Sequence, residues 1–344
     1  MKSLQFPPPQ TSHARRSSVV CAMPKEHVHF LTAQLSADRL QTSRFAPDIA
    51  AHSSALFLGS IFHDVLFYLR GNQPQALREL PHALHGKQGQ DTYHLLLLQT
   101  SHAAVIGGQA RAFLVGMVSH IQADAALHPL VYHLSGAYYR SSEAVERHRL
   151  LETLLDQIIA GSRTELRQHS IGHLLRSAGG IDAACELAPL DSLAELTGCR
   201  KKHIRSALKH SWRTFSTLRC LALTPVLGPA LAGLRPLLPK KAHNVRGILA
   251  LFHPRRPRTD AAFLLGPVHY RHPVTGLEHV RSIRELMDEA AERTAELCRE
   301  LEPLAFGEIN NAVLAFGPSL DTGLPHSAVN NAHHFANPPY PPLT

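Results

Sequence analysis

The chain has 344 residues, 44% of them hydrophobic, enough for one large or two small globular domains and inconsistent with a chain disordered over most of its length. Its formal charge of +8 favours anionic partners such as phosphate esters, anionic lipid or nucleic acid, although the basic residues are scattered and form no single run. Five cysteines (Cys21, Cys185, Cys199, Cys220, Cys298) make no CxxC pair, which excludes a disulfide framework and a cysteine zinc site and favours a reducing compartment.

Residues 1–22 contain Pro7-Pro8-Pro9 and Arg15-Arg16 but no apolar run long enough for a secretory signal. A flexible N-terminal extension and a cytoplasmic location are the expectations, with the compact chain starting near Met23-Pro24. The first polar group of interest is His27-Val-His29. Asp48–Arg70 is a long apolar-rich helical run containing His63-Asp64, and His82-Ala-Leu-His85-Gly86-Lys87 follows. A second run covers Asp91–His128, with Gly107-Gly108 as a loosening point. Ser141–Ala160 reads as a helix capped by Ser142, with Glu143 and Glu146 in its first turns, where negative charge suits the helix dipole.

Farther on, Cys220–Leu234 is uncharged but too short and too rich in proline for a spanning helix. It reads as a core hairpin or short helical pieces, with an interfacial lipid contact as the alternative. Segment 239–276 reads as a long irregular connection. Ser282-Ile-Arg-Glu285 is a capping box opening a helix whose Ile283, Leu286, Ala290, Leu297 and Leu301 form one stripe, ending before Pro303. The tail at 319–344 reads as unstructured. The predicted architecture is all-α: a compact multi-helix domain over 23–318, with metal sites between facing helices.

Two segments carry the chemistry. His120-Ile-Gln-Ala-Asp124-Ala-Ala-Leu-His128 and His148-Arg-Leu-Leu-Glu152-Thr-Leu-Leu-Asp156 each place imidazole and carboxylate groups four residues apart, one helical turn above each other. Such spacing also occurs on solvated helix faces. Here the residues before and within the segments are apolar (Val118, Ile121, Leu127; Leu150, Leu151, Leu154, Leu155), so both helices read as buried on much of their circumference, and buried charge requires a partner or a metal. Nitrogen and oxygen donors suit a borderline cation such as zinc. Asp156 fits either a carboxylate orienting a ligand histidine or the partner of an N–H or arginine elsewhere in the core.

Together with the early histidine pair, Gly59-Ser-Ile-Phe-His63-Asp64 and His85-Gly86-Lys87, this order of elements resembles the bacterial zinc-dependent phospholipase C family over roughly Met23–Asp156. The more distal His272-Pro273-Val274-Thr275-Gly276 resembles the later part of the family pattern. The resemblance implies a helical domain with a cluster of two or three zinc ions. His85, His120, Asp124 and Asp64 would surround one zinc, and His128, His148 and Glu152 a second. His29, with Asp124 as a bridge, would stand at a third. His29 is chosen over His27 by its distance from Met23-Pro24, and His85 over His82 by the Gly-Lys that follows it. Two ions are expected, because the family closes its third site with an N-terminal tryptophan and the only tryptophan here is Trp212. His63 stands where the family has proline and is not assigned to metal.

The resemblance implies hydrolysis of a phospholipid head-group phosphodiester by metal-activated water, with Asp64 as ligand or general base. A zinc nuclease or phosphatase uses a similar helical site. Low aromatic content (6%) makes nucleic acid the less favoured substrate. A zinc-stabilised module binding lipid or a protein partner without turnover is the non-enzymatic alternative.

Overall fold

The computed structural model describes residues 26–69, 73–161, 170–256 and 259–343. The expected N-terminal extension at 1–22 lies outside them. The architecture is all-α apart from one small hairpin. Its centre is α7 (Gly108–Ser135), buried on nearly all sides, as an apolar sequence all round a helix requires. Against α7 pack α1 (Glu26–Arg39), α2 (Ala46–Ala51), α3 (Ser53–Gly59), α6 (Tyr93–Ile106), α8 (Ser142–Ala160) and α15 (Ile283–Ala305). Two apolar cores meet along it. Phe113, Val118 and Ile121 belong to one, and Leu127, Leu130 and Leu134 to the other, so the polar stretch His120–His128 spans the seam between them.

The run expected as one helix over Asp48–Arg70 is broken. Its described part forms α2, α3, the short α4 (Phe62–Val65) and a 3-10 turn, Leu66–Tyr68. The break at Ser60 turns its carbonyl away from a continuing helical ladder and toward α7. Close approach of α3 to α7 depends on Gly116, where a Cβ would collide with the Leu56 carbonyl oxygen. The second long run divides at Gly107 (φ 102°), and α7 continues through Pro129 to Ser135, beyond the expected end at His128. Pro129 brings no N–H to the Ala125 carbonyl one turn earlier.

Between α3 and α6 lies α5 (Gln75–Leu84), and after α8 come α9 (Ile171–Ser177), α10 (Ile181–Glu186), α11 (Leu190–Thr197) and α12 (Lys201–Leu223). Ser141, one residue before the expected cap, accepts from the Ala144 N–H at the start of α8. The apolar stretch after Cys220 finishes α12 and, past Thr224-Pro225, forms α13 (Leu227–Leu234). The chain through α13 and the 3-10 turn Arg235–Leu237 is bent by 88° from α12. No single helix among the described residues is long and apolar enough to cross a membrane.

Segment 239–276 is more regular than expected. It holds α14 (His243–Leu249), a 3-10 stretch (Thr259–Leu265) and β1 (Val268–Arg271), which pairs antiparallel with β2 (Glu278–Arg281). Strands of four residues leave too little alternation to be read from sequence. The Ser282/Glu285 capping box is present, and the predicted stripe of α15 is buried, but the helix runs through Pro303 to Ala305. The tail also departs from expectation. Residues 319–343 have little regular structure, yet Leu320, Asp321, Thr322, Val329 and Ala332 are buried against the helices.

Candidate metal centre

Five elements contribute side chains to one buried space. α7 supplies His120, Asp124 and His128 on successive turns; α8 supplies His148 and Glu152; α4 supplies Asp64; the residue ending α5 is His85; and α1 supplies His29. All eight are at most 4% exposed. One ligand atom from each of Asp64, His85, His120 and Asp124 lies within 4.8 Å of the others, and the same holds for His128, His148 and Glu152.

Asp124 stands between the two groups. Its Oδ2 is 3.3 Å from His120 Nε2 and 4.0 Å from His85 Nε2, while its Oδ1 is 3.9 Å from His128 Nε2. Asp64 Oδ1 is 3.8 Å from His120 Nε2 and 3.9 Å from His85 Nε2. In the second group Glu152 Oε1 is 2.7 Å from His148 Nε2 and 3.6 Å from His128 Nε2. His29 Nε2 faces both aspartates, 3.5 Å from Asp124 Oδ1 and 3.8 Å from Asp64 Oδ2, and its ring stacks on His120. The structure therefore gathers every predicted ligand in one space.

Three of the histidines are oriented by backbone carbonyls. Nδ1 of His85 donates to Pro81 O (2.7 Å), that of His120 to Ser60 O (2.8 Å), and that of His128 to Leu320 O (2.8 Å). A carbonyl only accepts, so each Nδ1 carries the proton and, in the neutral ring, Nε2 presents a lone pair inward. This is the outer hydrogen bond that metal-ligating imidazoles make. For His148, Ser135 Oγ lies 3.5 Å from Nδ1. The inward atoms lack hydrogen-bond partners: Nε2 of His85 and His120, both oxygens of Asp124, Oε2 of Glu152, and Oδ1 of Asp64. Buried polar atoms are costly to leave unsatisfied. Nitrogen and carboxylate donors with inward lone pairs fit zinc, with Asp64, His85, His120 and Asp124 around one ion and His128, His148 and Glu152 beside another.

Electrostatics divides the carboxyls. Burial and the nearby Asp124 raise Asp64 well above the usual carboxyl range. Burial also pushes Asp124 upward, but His128 and His120 outweigh it and the net shift is downward. Glu152 is lowered in the same way, with His148 opposing burial. Burial, followed by the charge of neighbouring His120, brings His29 down to about 3. Burial also brings His85 to about 3. For His128 burial is outweighed by Asp124 and Glu152, and its pKa rises to about 9.

Asp156 contacts no ligand imidazole. Its Oδ1 accepts from the backbone N–H of His27 (2.8 Å) and Val28 (3.2 Å), and its Oδ2 lies 3.1 Å from His253 Nε2 and 3.4 Å from Arg219 Nη1. It thus anchors the first turn of α1, from which His29 projects. His27 contributes its backbone there. His82, passed over in favour of His85, is half-buried with its ring against Phe67. His63, unassigned from sequence, is fully buried with its ring stacked on His120 at 4.8 Å and neither nitrogen hydrogen-bonded.

Sequence reasoning missed the strap that closes the site. Leu320 donates its N–H to His85 O (2.9 Å) and accepts from His128 Nδ1, touching one residue of each metal group. Asp321 Oδ1 accepts from Tyr132 (2.8 Å), and Thr322 O accepts from His272 Nε2 (2.9 Å). Gly323 (φ 70°) lies against the Ala125 carbonyl, where any Cβ would collide. That is the carbonyl left without its helical donor by Pro129. Only the isolated turn residues Gly317-Pro318 and Gly323 hint at this in the sequence.

A family model described as zinc dependent phospholipase C matches residues 23–194, half of the chain. No curated protein and no solved structure matches significantly. The matched stretch contains every residue of both metal groups, from Asp64 to Glu152. Ligand geometry and family match agree: the chain belongs to the zinc-dependent phospholipase C family.

Proposed function

We propose that the chain hydrolyses a phospholipid head-group phosphodiester in a zinc-dependent reaction. The observation that carries this reading is the pair of adjacent buried donor groups sharing Asp124, with their inward nitrogen and oxygen atoms unsatisfied by protein. Bound zinc would supply Lewis acidity toward the phosphoryl oxygens and lower the pKa of water to about 7. His85, His120, Asp124 and Asp64 would hold one ion and His128, His148 and Glu152 a second; His29 would stand at a third.

Asp64 is the residue we assign to proton handling. The family pattern gives this position a dual role, as ligand or as general base, and its Oδ1 lies 3.8 Å from His120 Nε2 without a hydrogen-bond partner. Asp64 would accept the proton of the attacking water while Asp124 stays ionised as a bridge. Water attack on phosphorus breaks the bond to the alkoxide, which by the family's chemistry is a diacylglycerol.

The test is turnover of a phosphatidylcholine and of a soluble phosphodiester, with and without chelator, alongside degradation of single-stranded DNA. Chelator-sensitive lipid cleavage supports the proposal. DNA degradation without lipid cleavage replaces it with a nuclease. Bound zinc with neither activity replaces it with a non-catalytic module. For Asp64, an Asp64→Asn protein that keeps both its zinc and full turnover removes that residue from the chemistry.

A further inference from the structure

α13 and α14 leave large apolar side chains facing outward. Val226 is 79% exposed and Leu237 77%, with Leu227, Leu234, Val245 and Ile248 between 40% and 50%. Leu227 and Leu234 are seven residues apart on α13, and Val245 and Ile248 three apart on α14, so each pair shares one side of its helix. The inward positions go to Gly228 on α13 and to Arg246 and Gly247 on α14. α13, the 3-10 turn Arg235–Leu237 and α14 pack on one another. Exposed Lys240 and Lys241 lie between Leu237 and Val245.

This apolar and basic surface is braced to the metal centre. Arg235 Nη1 reaches Glu146 Oε1 at 2.7 Å, and Arg246 Nε lies 3.0 Å from both Glu146 oxygens. Glu146 is buried on α8, two residues before His148 and six before Glu152. α14 packs along that same helix. Anything that seats on α13 and α14 is therefore held rigidly with respect to two of the zinc-ligand positions.

We propose that this surface docks the protein on an anionic phospholipid membrane, with Val226, Leu227, Leu234 and Leu237 entering the interface and Lys240 and Lys241 meeting lipid phosphates. Apolar residues beside lysines are the composition of an interfacial contact. A second copy of the chain is the poorer occupant, since it would bring Lys240 and Lys241 against their own counterparts in a molecule of net charge +8. The choice of lipid over another anionic surface rests on the phospholipid substrate proposed above.

The test is co-sedimentation of the full zinc-loaded chain with phosphatidylcholine vesicles, with and without phosphatidylglycerol. Light scattering on the same samples reports oligomeric state. Wild-type protein is expected to sediment with the anionic vesicles. Lys240→Glu and Lys241→Glu are each expected to weaken partitioning about fivefold or more, and Val226→Asp with Leu237→Asp about tenfold or more. Zinc content and cleavage of a soluble phosphodiester should stay at wild-type levels in these variants, which separates lost docking from lost folding. Absence of wild-type protein from the anionic pellet, or equal sedimentation of all variants, overturns the proposal. So does a wild-type dimer that the aspartates split, with no vesicle binding. Vesicle docking without hydrolysis of either substrate would leave the surface standing and sink the hydrolase reading instead.

Discussion

Nδ1 of His128 donates to the carbonyl of Leu320 at 2.8 Å, across 192 residues of chain. The same Leu320 donates its N–H to the carbonyl of His85, so one peptide segment holds a histidine from each metal group. Gly323→Ala tests this strap, because a Cβ there both collides with the Ala125 carbonyl and strains a residue at φ 70°. Losing an outer hydrogen bond to a ligand histidine typically costs about 10–100-fold in metal affinity. A competition titration against a chromogenic chelator should show a loss in that range, and an unchanged affinity would make the strap irrelevant to the metal.

Asp124 faces both groups, and its removal should be felt in both. His120→Ala is expected to lower bound zinc at the first group only, and Glu152→Ala at the second only. Asp124→Ala should reduce both, because one oxygen approaches His120 and the other His128. Elemental analysis of the three purified variants decides it. Full zinc occupancy in Asp124→Ala would show that the two groups do not share this carboxylate.

Much of this centre is legible in the sequence, for a specific reason. The candidate ligands on α7 and α8 recur every fourth residue, and a helix converts that interval directly into a common direction. His85 and Asp64 needed the family pattern, because they come from short or ending elements with no period of their own. What could not be read is carried by backbone. The carbonyls of Ser60, Pro81 and Leu320 orient three histidines, and a carbonyl has no signature in a sequence. The strap's low apolar content and many prolines resemble disorder, yet it is held by hydrogen bonds to the helices. Asp156 shared the spacing of the ligand row but turned to Arg219, His253 and the start of α1, partners that lie 63, 97 and about 129 residues away.

Zinc uptake should release protons. In the metal-free chain the His128 pKa is raised to about 9, so at neutrality its ring carries an extra proton that a ligand must give up. His29 and His85, both near 3, are already neutral there and release none. Asp64, raised, acts in the same direction as His128. Affinity at the second group should therefore rise about tenfold per pH unit from neutrality to about pH 9 and flatten above it. Calorimetric titrations in buffers of different ionisation heat count the protons directly. A flat affinity across that window would contradict a protonated His128.

Asp156 should matter to stability more than to chemistry. Burial opposes its charge, but the bond to His253 and the Arg219 guanidinium hold its pKa below the usual carboxylate range. Asp156→Ala removes the acceptor for two backbone N–H groups of α1 and one partner of Arg219, which keeps Glu26 at 2.6 Å. Breaking a buried pair of this kind costs about 3–5 kcal/mol, and the surviving Glu26 places the expectation at the lower end. A carboxyl with a depressed folded pKa contributes its stabilisation above the unfolded value of about 3.9. That contribution is lost as pH falls through the lower folded value. Urea unfolding should accordingly show the full gap between wild type and variant near neutrality, narrowing steadily below about pH 4. A gap that persists unchanged into strong acid would mean that the Asp156 charge is not what holds α1, and with it His29, in place.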